Sequence, residues 1–366
     1  MVLPSEKTIP LSGRAEPGAV VKVSFEDHDF TERTGPDGRW KVALPTHAAS
    51  FEPQVLLIRS GDEELRIDDI LIGEVWLCAG QSNMDFPLSR AVGGAVELAR
   101  AGDFPAIRLL DLRGVPTGAK PYTAAEMARM NQANYYEGSW QRATPEAAAG
   151  FSAVAWWAGR TIHEAQKVPV GLIDVSVGGS GAEAWLPREI LEAREDYAPL
   201  LGGQWLHCPR IGEWARGRAR LNLGERGVDH PFRPGFLFEA GVRPWQGFPL
   251  QGVLWYQGET NAEIHDDVWN ERLITDLVIG WRRVLEQPEL PFFMVQLPRI
   301  GGNDPVRKWW PEFREVQARA AAKLDDVTLI PTADLGWDSP DVHPPDKKPV
   351  GERLGDAVLK KQAGQR

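Results

Sequence analysis

The stretch Gly73-Glu74-Val75-Trp76-Leu77-Cys78-Ala79-Gly80-Gln81-Ser82 places an apolar run, a glycine and a serine in an order that indicates an α/β fold. The apolar run at residues 75–79 predicts a buried strand, and Gly80 ends it. In open α/β sheets, ligands bind beyond the carboxyl ends of the strands. The residues that follow each predicted strand are therefore where a functional site is expected.

Strands and helices alternate along the rest of the chain. Residues 151–166 carry apolar side chains at i, i+3 and i+4 spacing, which is typical of an amphipathic helix. The other predicted elements are strands at residues 170–177, 252–256, 292–296 and 327–330, and helices at residues 269–285 and from Pro349 onward. This alternation predicts a parallel sheet with helices on both faces.

The N-terminal part of the chain has a different pattern. Residues 20–25 alternate apolar and polar side chains, and Gly35-Pro36-Asp37-Gly38 supplies a turn before the next strand. Strands separated by turns, without a helical pattern, predict a small all-β sandwich domain at residues 1–72, followed by an α/β domain at residues 73–366. The Gly- and Arg-rich stretch 201–233 is expected to be an irregular insertion.

Composition limits the partners and the compartment. The chain has 41 basic and 51 acidic residues, a net charge of −10, which argues against binding to nucleic acid. Its two cysteines, Cys78 and Cys208, exclude a disulfide-rich scaffold, and Cys78 is expected to be a buried, inert thiol. No segment reads as a signal peptide or a membrane span. The expected location is the cytoplasm, or the periplasm or exterior if a leader is missing from this sequence.

Tryptophan is unusually frequent, with 15 Trp against 5 Tyr. So many indoles require a large core or a stacking surface, and sugar rings suit such a surface.

Side chains suited to acyl transfer follow four of the predicted strands. They are Ser82, the loop Gly178-Gly179-Ser180-Gly181, the stretch Gln257-Gly258-Glu259, and the C-terminal loop from Asp338 to His343. A serine, a glycine pair, an amide and an Asp/His pair can supply a nucleophile, oxyanion donors and a base.

Each candidate has an alternative interpretation. Ser82 is a nucleophile, with its own N–H opening the next helix, or simply a helix N-cap. Ser180 competes with it, because Gly178-Gly179-Ser180-Gly181-Ala182 nearly matches the G-x-S-x-G nucleophile elbow. His343 is a base oriented by Asp341 or a solvated loop residue, and Gln257 is an oxyanion donor or a buried cap of the sheet edge.

No metal site or cofactor is expected. His265 is followed by two carboxylates, Asp266 and Asp267, but three consecutive residues lack the spacing of metal ligands.

Taken together, these residues resemble the sialate O-acetylesterase family within the SGNH (GDSL-like) hydrolase superfamily. The matching segments are Gly73–Met84, Val168–Ile173 with Gly178–Ser180 and Glu183–Trp185, Gly252–Ala262, and Asp341–Pro344 with Lys347, Val350-Gly351 and Arg353-Leu354. The resemblance implies a three-layer α/β/α fold and a serine esterase that removes acetyl groups from sugar hydroxyls without a cofactor.

The resemblance also implies roles for individual residues. Ser82 is the nucleophile, His343 the base and Asp341 the acid that orients it, while the oxyanion donors are the N–H groups of Ser82 and Gly179 and the Gln257 side chain. Under this alignment Ser180 loses its standing as the nucleophile.

Two departures from the wider superfamily leave the acid open. Pro340 stands where that superfamily has Asp, three residues before the histidine, and Gln257 stands where it has Asn. Asp341, Asp338, Glu259 or a backbone carbonyl is therefore the partner of His343.

The substrate also stays open, because the loops that would recognise the leaving sugar lie outside the matching segments. The expected substrate is a small-molecule or oligosaccharide acetyl ester, sialic acid-like or another acetylated sugar. The alternatives are an acetylxylan esterase, a broad short-chain carboxylesterase and a non-catalytic carbohydrate-binding protein.

Overall fold

Strand β7 (Glu63–Gly80) is the central strand of the molecule. The structure, a computed structural model, describes residues 1–224, 226–227, 229–302 and 304–364. Six further strands complete the main sheet: β8 (Ile107–Asp111), β9 (Trp140–Arg142), β10 (Val170–Asp174), β11 (Gly252–Tyr256), β12 (Phe292–Val295) and β13 (Val327–Ile330). Their order is β13-β12-β11-β7-β10-β8-β9, and all neighbours are parallel except β8 and β9.

Helices cover both faces of this sheet. The α-helices in the described residues are α1 (Gly94–Ala99), α2 (Ala124–Ala128), α3 (Pro145–Ala149), α4 (Ala153–Gln166), α5 (Arg188–Glu192), α6 (Glu213–Leu223), α7 (Asp267–Val284), α8 (Trp310–Ala322) and α9 (Lys348–Gly364). Val75, Leu77 and Ala79 of β7 belong to the core shared with α7 and α8, whereas Trp76 and Cys78 belong to the core shared with α4 and α9. The alternation follows from the two-residue period of a strand, and the predicted three-layer arrangement is confirmed.

The N-terminal residues form strands only. These are β1 (Val2–Pro4), β2 (Ile9–Arg14), β3 (Val20–Phe25), β4 (His28–Arg33), β5 (Arg39–Leu44) and β6 (Ser50–Ser60). β3 pairs with β4 and β6, β6 pairs with β7, and β2 pairs with β5. Inward side chains of β3 and β5 share a separate hydrophobic core that includes Val23, Phe25 and Leu44.

β7 passes through both parts of the molecule without a break. The predicted boundary at residues 72 and 73 lies inside this strand, whose register runs from Ser60↔Glu63 with β6 to Tyr256↔Gly80 with β11. Position 73 requires a glycine for steric reasons, since a Cβ there would lie 2.0 Å from the Pro169 carbonyl oxygen. The chain does not turn at this residue. The division into two domains stays a prediction.

Other elements differ from expectation in detail. The stretch 201–233 contains helix α6 and a 3-10 helix at Gly202–His207, and Glu225 and Val228 of that stretch lie outside the described residues. The strand expected at 170–177 ends at Asp174. No helix in the described part of the chain is long and apolar enough to cross a membrane.

Candidate active site

A cleft of about 360 Å³ opens at the carboxyl ends of β7, β10 and β11. Its wall is drawn from the loops that follow these strands and from the C-terminal loop, and includes Ser82, Gly179, Glu259, Trp214, Trp310 and His343. The fold therefore gathers the ends of several strands at one place, as expected for an open α/β sheet.

Ser82 reaches the cleft because the chain turns sharply after β7. Gly80 has φ +139°, and a Cβ there would lie 2.0 Å from the Tyr256 carbonyl oxygen of β11. The N–H groups of Met84 and Asp85 donate to the Gln81 carbonyl at 2.8 and 3.0 Å, which closes a turn around Ser82. Contrary to expectation, the N–H of Ser82 lies in this turn and does not open an α-helix.

His343 lies between Ser82 and Asp341. Its Nε2 is 2.8 Å from Ser82 Oγ, and its Nδ1 is 2.7 Å from Asp341 Oδ1. With Nδ1–H donating to the carboxylate, Nε2 remains an acceptor for the serine hydroxyl. The three side chains thus form one hydrogen-bonded line in the order that nucleophilic catalysis requires.

The pKa of each titrating group in this line departs from its usual value. Burial lowers the pKa of His343 and outweighs the raising effect of Asp341, so the imidazole is neutral around pH 7. Burial raises the pKa of Asp341, but hydrogen bonds from the ring and N–H of His343 outweigh it, so the carboxyl is ionised.

The loop at Gly178 to Ser180 lies beside Ser82 with its backbone held in place. Thr117 Oγ1 donates to the Gly178 carbonyl and Thr260 Oγ1 to the Gly179 carbonyl, each at 3.2 Å. Gly179 has φ +80°, and a Cβ there would meet the Trp214 ring at 2.4 Å. Within the described residues the N–H groups of Ser82 and Gly179 have no protein acceptor, so both are available to a ligand.

Gln257 is buried behind the cleft. Its Nε2 lies 2.6 Å from Asn261 Oδ1, 3.1 Å from Gln81 Oε1 and 3.2 Å from the Ser180 carbonyl. An amide has two N–H hydrogens, and these acceptors occupy both. The structure thus does not bring Gln257 to the oxyanion position, and its donor role stays a prediction.

The competing candidates are placed elsewhere. Ser180 is 0% exposed, and its hydroxyl accepts a hydrogen bond from Trp185 Nε1 at 3.0 Å, so it does not reach the cleft. Asp338 pairs with Arg299 at the surface, and Glu259 contacts Asn83, so neither touches the His343 ring. The described residues bring together no metal-binding group of three or more His, Cys, Asp or Glu, and His265 packs against Trp309.

The tryptophans divide into core and cleft. Trp76, Trp185, Trp205 and Trp255 are at most 2% exposed, whereas Trp214 is 46% exposed and lines the cleft with the buried Trp310. Trp214 is also flanked by Arg218, whose guanidinium carbon is 5.0 Å from the ring centroid.

Sequence reasoning missed a buried polar cluster next to the site. Asn83 contacts both Glu259 and Lys347, and its Nδ2 donates to the Val342 carbonyl at 2.8 Å. The signal was present, since Asn83, Glu259 and Lys347 all fall in segments that carry the family resemblance.

A parallel sheet with this arrangement of strand-end loops is the fold of SGNH-type carbohydrate esterases. The profile of a family described as carbohydrate esterase, sialic acid-specific acetylesterase, matches residues 232–360. A carbohydrate acetylesterase of Xanthomonas citri has a similar structure, with TM-score 0.79 and 30% identity over 99% of this chain and 73% of that one. The chain belongs to the sialate O-acetylesterase family of carbohydrate esterases.

Curated relatives are more distant in sequence. The chain is similar to the sialate O-acetylesterase of Mus musculus, with 26% identity over 93% of this chain and 68% of the relative. It is also similar to the sialate O-acetylesterase of Homo sapiens, with 27% identity over 93% of this chain and 65% of the relative. The chain therefore spans about two thirds of the length of the curated relatives that it matches.

Proposed function

We propose that the protein is a serine esterase that removes O-acetyl groups from carbohydrate. The observation that carries the proposal is the hydrogen-bonded line Ser82, His343, Asp341, at 2.8 and 2.7 Å. It opens into a cleft beside two N–H groups that have no acceptor in the described part of the chain.

The proposed reaction begins when His343 Nε2 takes the proton of Ser82 as Oγ attacks the acetyl carbonyl. The N–H groups of Ser82 and Gly179 then stabilise the oxyanion, since a developing negative charge is favoured next to fixed donors. Gln257 would add a third donor only if its amide turned away from Gln81, Ser180 and Asn261.

The acetyl-enzyme forms when the sugar alcohol leaves with the proton held on His343. Water then attacks the acetyl group with the same base, which releases acetate and restores Ser82. Asp341 stays ionised throughout and stabilises the imidazolium.

A carbohydrate leaving group is supported by the wall of the cleft. The half-exposed Trp214 ring packs on Gly179, directly beside the proposed oxyanion donor. An exposed indole offers an apolar face for a sugar ring, at a place where the alcohol of the ester would lie. The proposal is compatible with three kinds of substrate: an acetylated monosaccharide such as a sialic acid, an acetylated xylan chain, and a simple alkyl acetate.

Replacing Ser82 with alanine tests the chemistry. We expect Ser82→Ala to lose p-nitrophenyl acetate hydrolysis by roughly a thousandfold or more, with the thermal unfolding midpoint nearly unchanged. Ser180→Ala is the matched control, because its hydroxyl is buried against Trp185, and it should still be labelled by a fluorophosphonate probe. Wild-type activity in Ser82→Ala would refute the proposal.

The same labelling separates an esterase from a carbohydrate-binding protein, since a binder has no activated serine. Acetate release from O-acetylated sialic acid, acetylated xylan and a short alkyl acetate then ranks the substrates.

A further inference from the structure

Three buried polar side chains form a cluster under the loop that carries His343. Asn83 is 0% exposed, Lys347 1% and Glu259 6%. Lys347 Nζ donates to Asn83 Oδ1, and Asn83 Nδ2 donates to Glu259 Oε1. Buried polar groups of this kind are costly unless paired, so each member depends on the others.

Asn83 joins the proposed nucleophile to the proposed base. It directly follows Ser82, and its Nδ2 also donates to the carbonyl of Val342, at 2.8 Å. Val342 lies between Asp341 and His343 in the chain. A single side chain therefore links the turn that presents the serine to the backbone that presents the imidazole.

Backbone hydrogen bonds anchor this loop on both sides of His343: the Gly301 N–H donates to the Ser339 carbonyl at 2.9 Å, and the Val92 N–H donates to the Pro345 carbonyl at 3.0 Å. Asn83 acts between these anchors, at Val342 itself. Residues 336–347 contain no helix or strand, and the Asp341 side chain is 56% exposed. The Trp337 indole donates to the Asp341 carbonyl, and Arg307 donates to the Pro340 carbonyl, both at the exposed surface. The bond from Asn83 comes from the buried side.

Lys347 supplies the charge that holds the cluster. It directly precedes α9, where the positive end of the helix dipole disfavours a cation, so the ammonium needs its partners. Its Nζ lies 4.9 Å from the centre of the Phe86 ring and 5.9 Å from that of Tyr256. Glu259 is the buried countercharge, and one of its oxygens, Oε2, has no partner among the described residues.

We propose that Lys347, acting through Asn83 and Glu259, is a positioning residue that holds His343 in line with Ser82. The inference rests on the proposed function, since it concerns the alignment of that nucleophile with that base. Lys347 touches none of the three side chains in the hydrogen-bonded line, so its effect on the reaction is indirect.

The charge of Lys347 also acts on His343. The charged groups that act on the imidazole are Asp341, which raises its pKa, and Lys347 and Arg90, which lower it. Those that act on Lys347 are Glu259, Asp341 and Asp346, and burial lowers its pKa to about 7 despite them. Loss of the ammonium removes a positive neighbour, so the pKa of His343 rises.

Lys347→Met tests the proposal, with Lys348→Met as the matched control, because Lys348 is half-exposed and forms an ion pair with Glu352 at 3.7 Å at the surface. We expect Lys347→Met to lower kcat on p-nitrophenyl acetate about tenfold with KM within about twofold, and to move the acidic limb of kcat/KM to higher pH. Lys348→Met should behave as wild type. If Lys347→Met has the same kcat and the same acidic limb as Lys348→Met, the proposal is wrong.

A second variant separates positioning from folding. Lys347→Met leaves the buried Glu259 carboxylate without its cation, so the unfolding midpoint of the variant should fall, and the double variant Lys347→Met/Glu259→Gln should recover it. We expect kcat to stay low and the acidic limb to stay shifted in the double variant. Recovery of kcat together with stability would show that Lys347 is only structural.

Failure of this proposal is distinct from failure of the proposed function. If wild type is active and Ser82→Ala is inactive while Lys347→Met matches Lys348→Met, only the positioning role is wrong. If Ser82→Ala is active, the esterase mechanism itself is wrong.

Discussion

Asp341 accepts two hydrogen bonds from one residue, at 3.0 Å from the N–H of His343 and at 2.7 Å from its Nδ1. The pairing is local, since an Asp can bond the backbone two residues on and so bring its carboxylate beside the ring of that residue. Pro340 in place of an acid three residues before the histidine is thus compatible with a carboxylate partner.

Asp341→Asn tests whether this carboxylate orients the base, with Asp338→Asn as control. We expect Asp341→Asn to lower kcat at least tenfold, about 1.4 kcal/mol of barrier, because an amide no longer stabilises the imidazolium. Asp338→Asn should keep full activity, since its side chain is 87% exposed and pairs with Arg299. Equal activity in both variants would favour a backbone carbonyl as the partner of His343.

Among single residues of the site, the sequence motifs identified those whose position is defined by their own short segment. Ser82 follows the glycine that ends a strand, and His343 lies two residues after an acid. The motifs did not predict the direction of the Gln257 amide. They also did not predict that Asn83 pairs with Lys347, which lies 264 residues away in the chain. Such contacts depend on how distant segments pack, and no local pattern encodes that.

At the scale of elements, helix α6 shows why the stretch 201–233 could not be assigned. Its buried positions are Ala215, Ala219, Asn222 and Leu223, so its inner face is mostly small or polar. A helical period is detected from large apolar residues, and this face has only one. The same helix places Trp214 over Gly179.

Trp214→Ala tests whether α6 supplies a surface for the sugar. We expect kcat/KM for an acetylated oligosaccharide to fall by roughly tenfold, and that for a short alkyl acetate to change less, because only the sugar stacks on the indole. The control is Leu221→Ala on the same helix, where the side chain is 44% exposed and does not line the cleft. An equal loss for both substrates would instead indicate that the ring only supports Gly179.

For the whole molecule, buried acids make stability depend on pH. Glu183 is 1% exposed, and its Oε2 accepts a hydrogen bond from Asn261 at 3.0 Å. Burial raises its pKa from 4.5 to about 7. The folded protein therefore binds a proton at the Glu183 carboxyl more tightly than the unfolded chain does. The stability that this proton contributes is fully present below pH 4.5 and is lost as the pH rises through about 7.

Glu183→Gln removes this titration while keeping the shape of the protonated acid. We expect the unfolding midpoint of the variant, relative to wild type, to rise by a few degrees between about pH 5 and about pH 8. Glu192→Gln is the control, because Glu192 is half-exposed and its ion pair with Arg188 is open to solvent, so its offset should stay constant. A constant offset for Glu183→Gln would mean that Glu183 does not titrate in this range.

The sequence by itself determined the order of strands and helices from β10 to α9, apart from α5, α6 and α8, and the strand-end positions of Ser82, Gly179 and His343. These features are local, because apolar periodicity, glycine at chain turns and the Asp-x-His spacing act within a few residues. Only the tertiary structure decided that β7 is one strand across Gly73, that the Gln257 amide faces inward and that Lys347 and Glu259 meet at Asn83. These outcomes depend on close approach of segments far apart in the chain, where packing and the cost of unpaired buried polar groups select the neighbours.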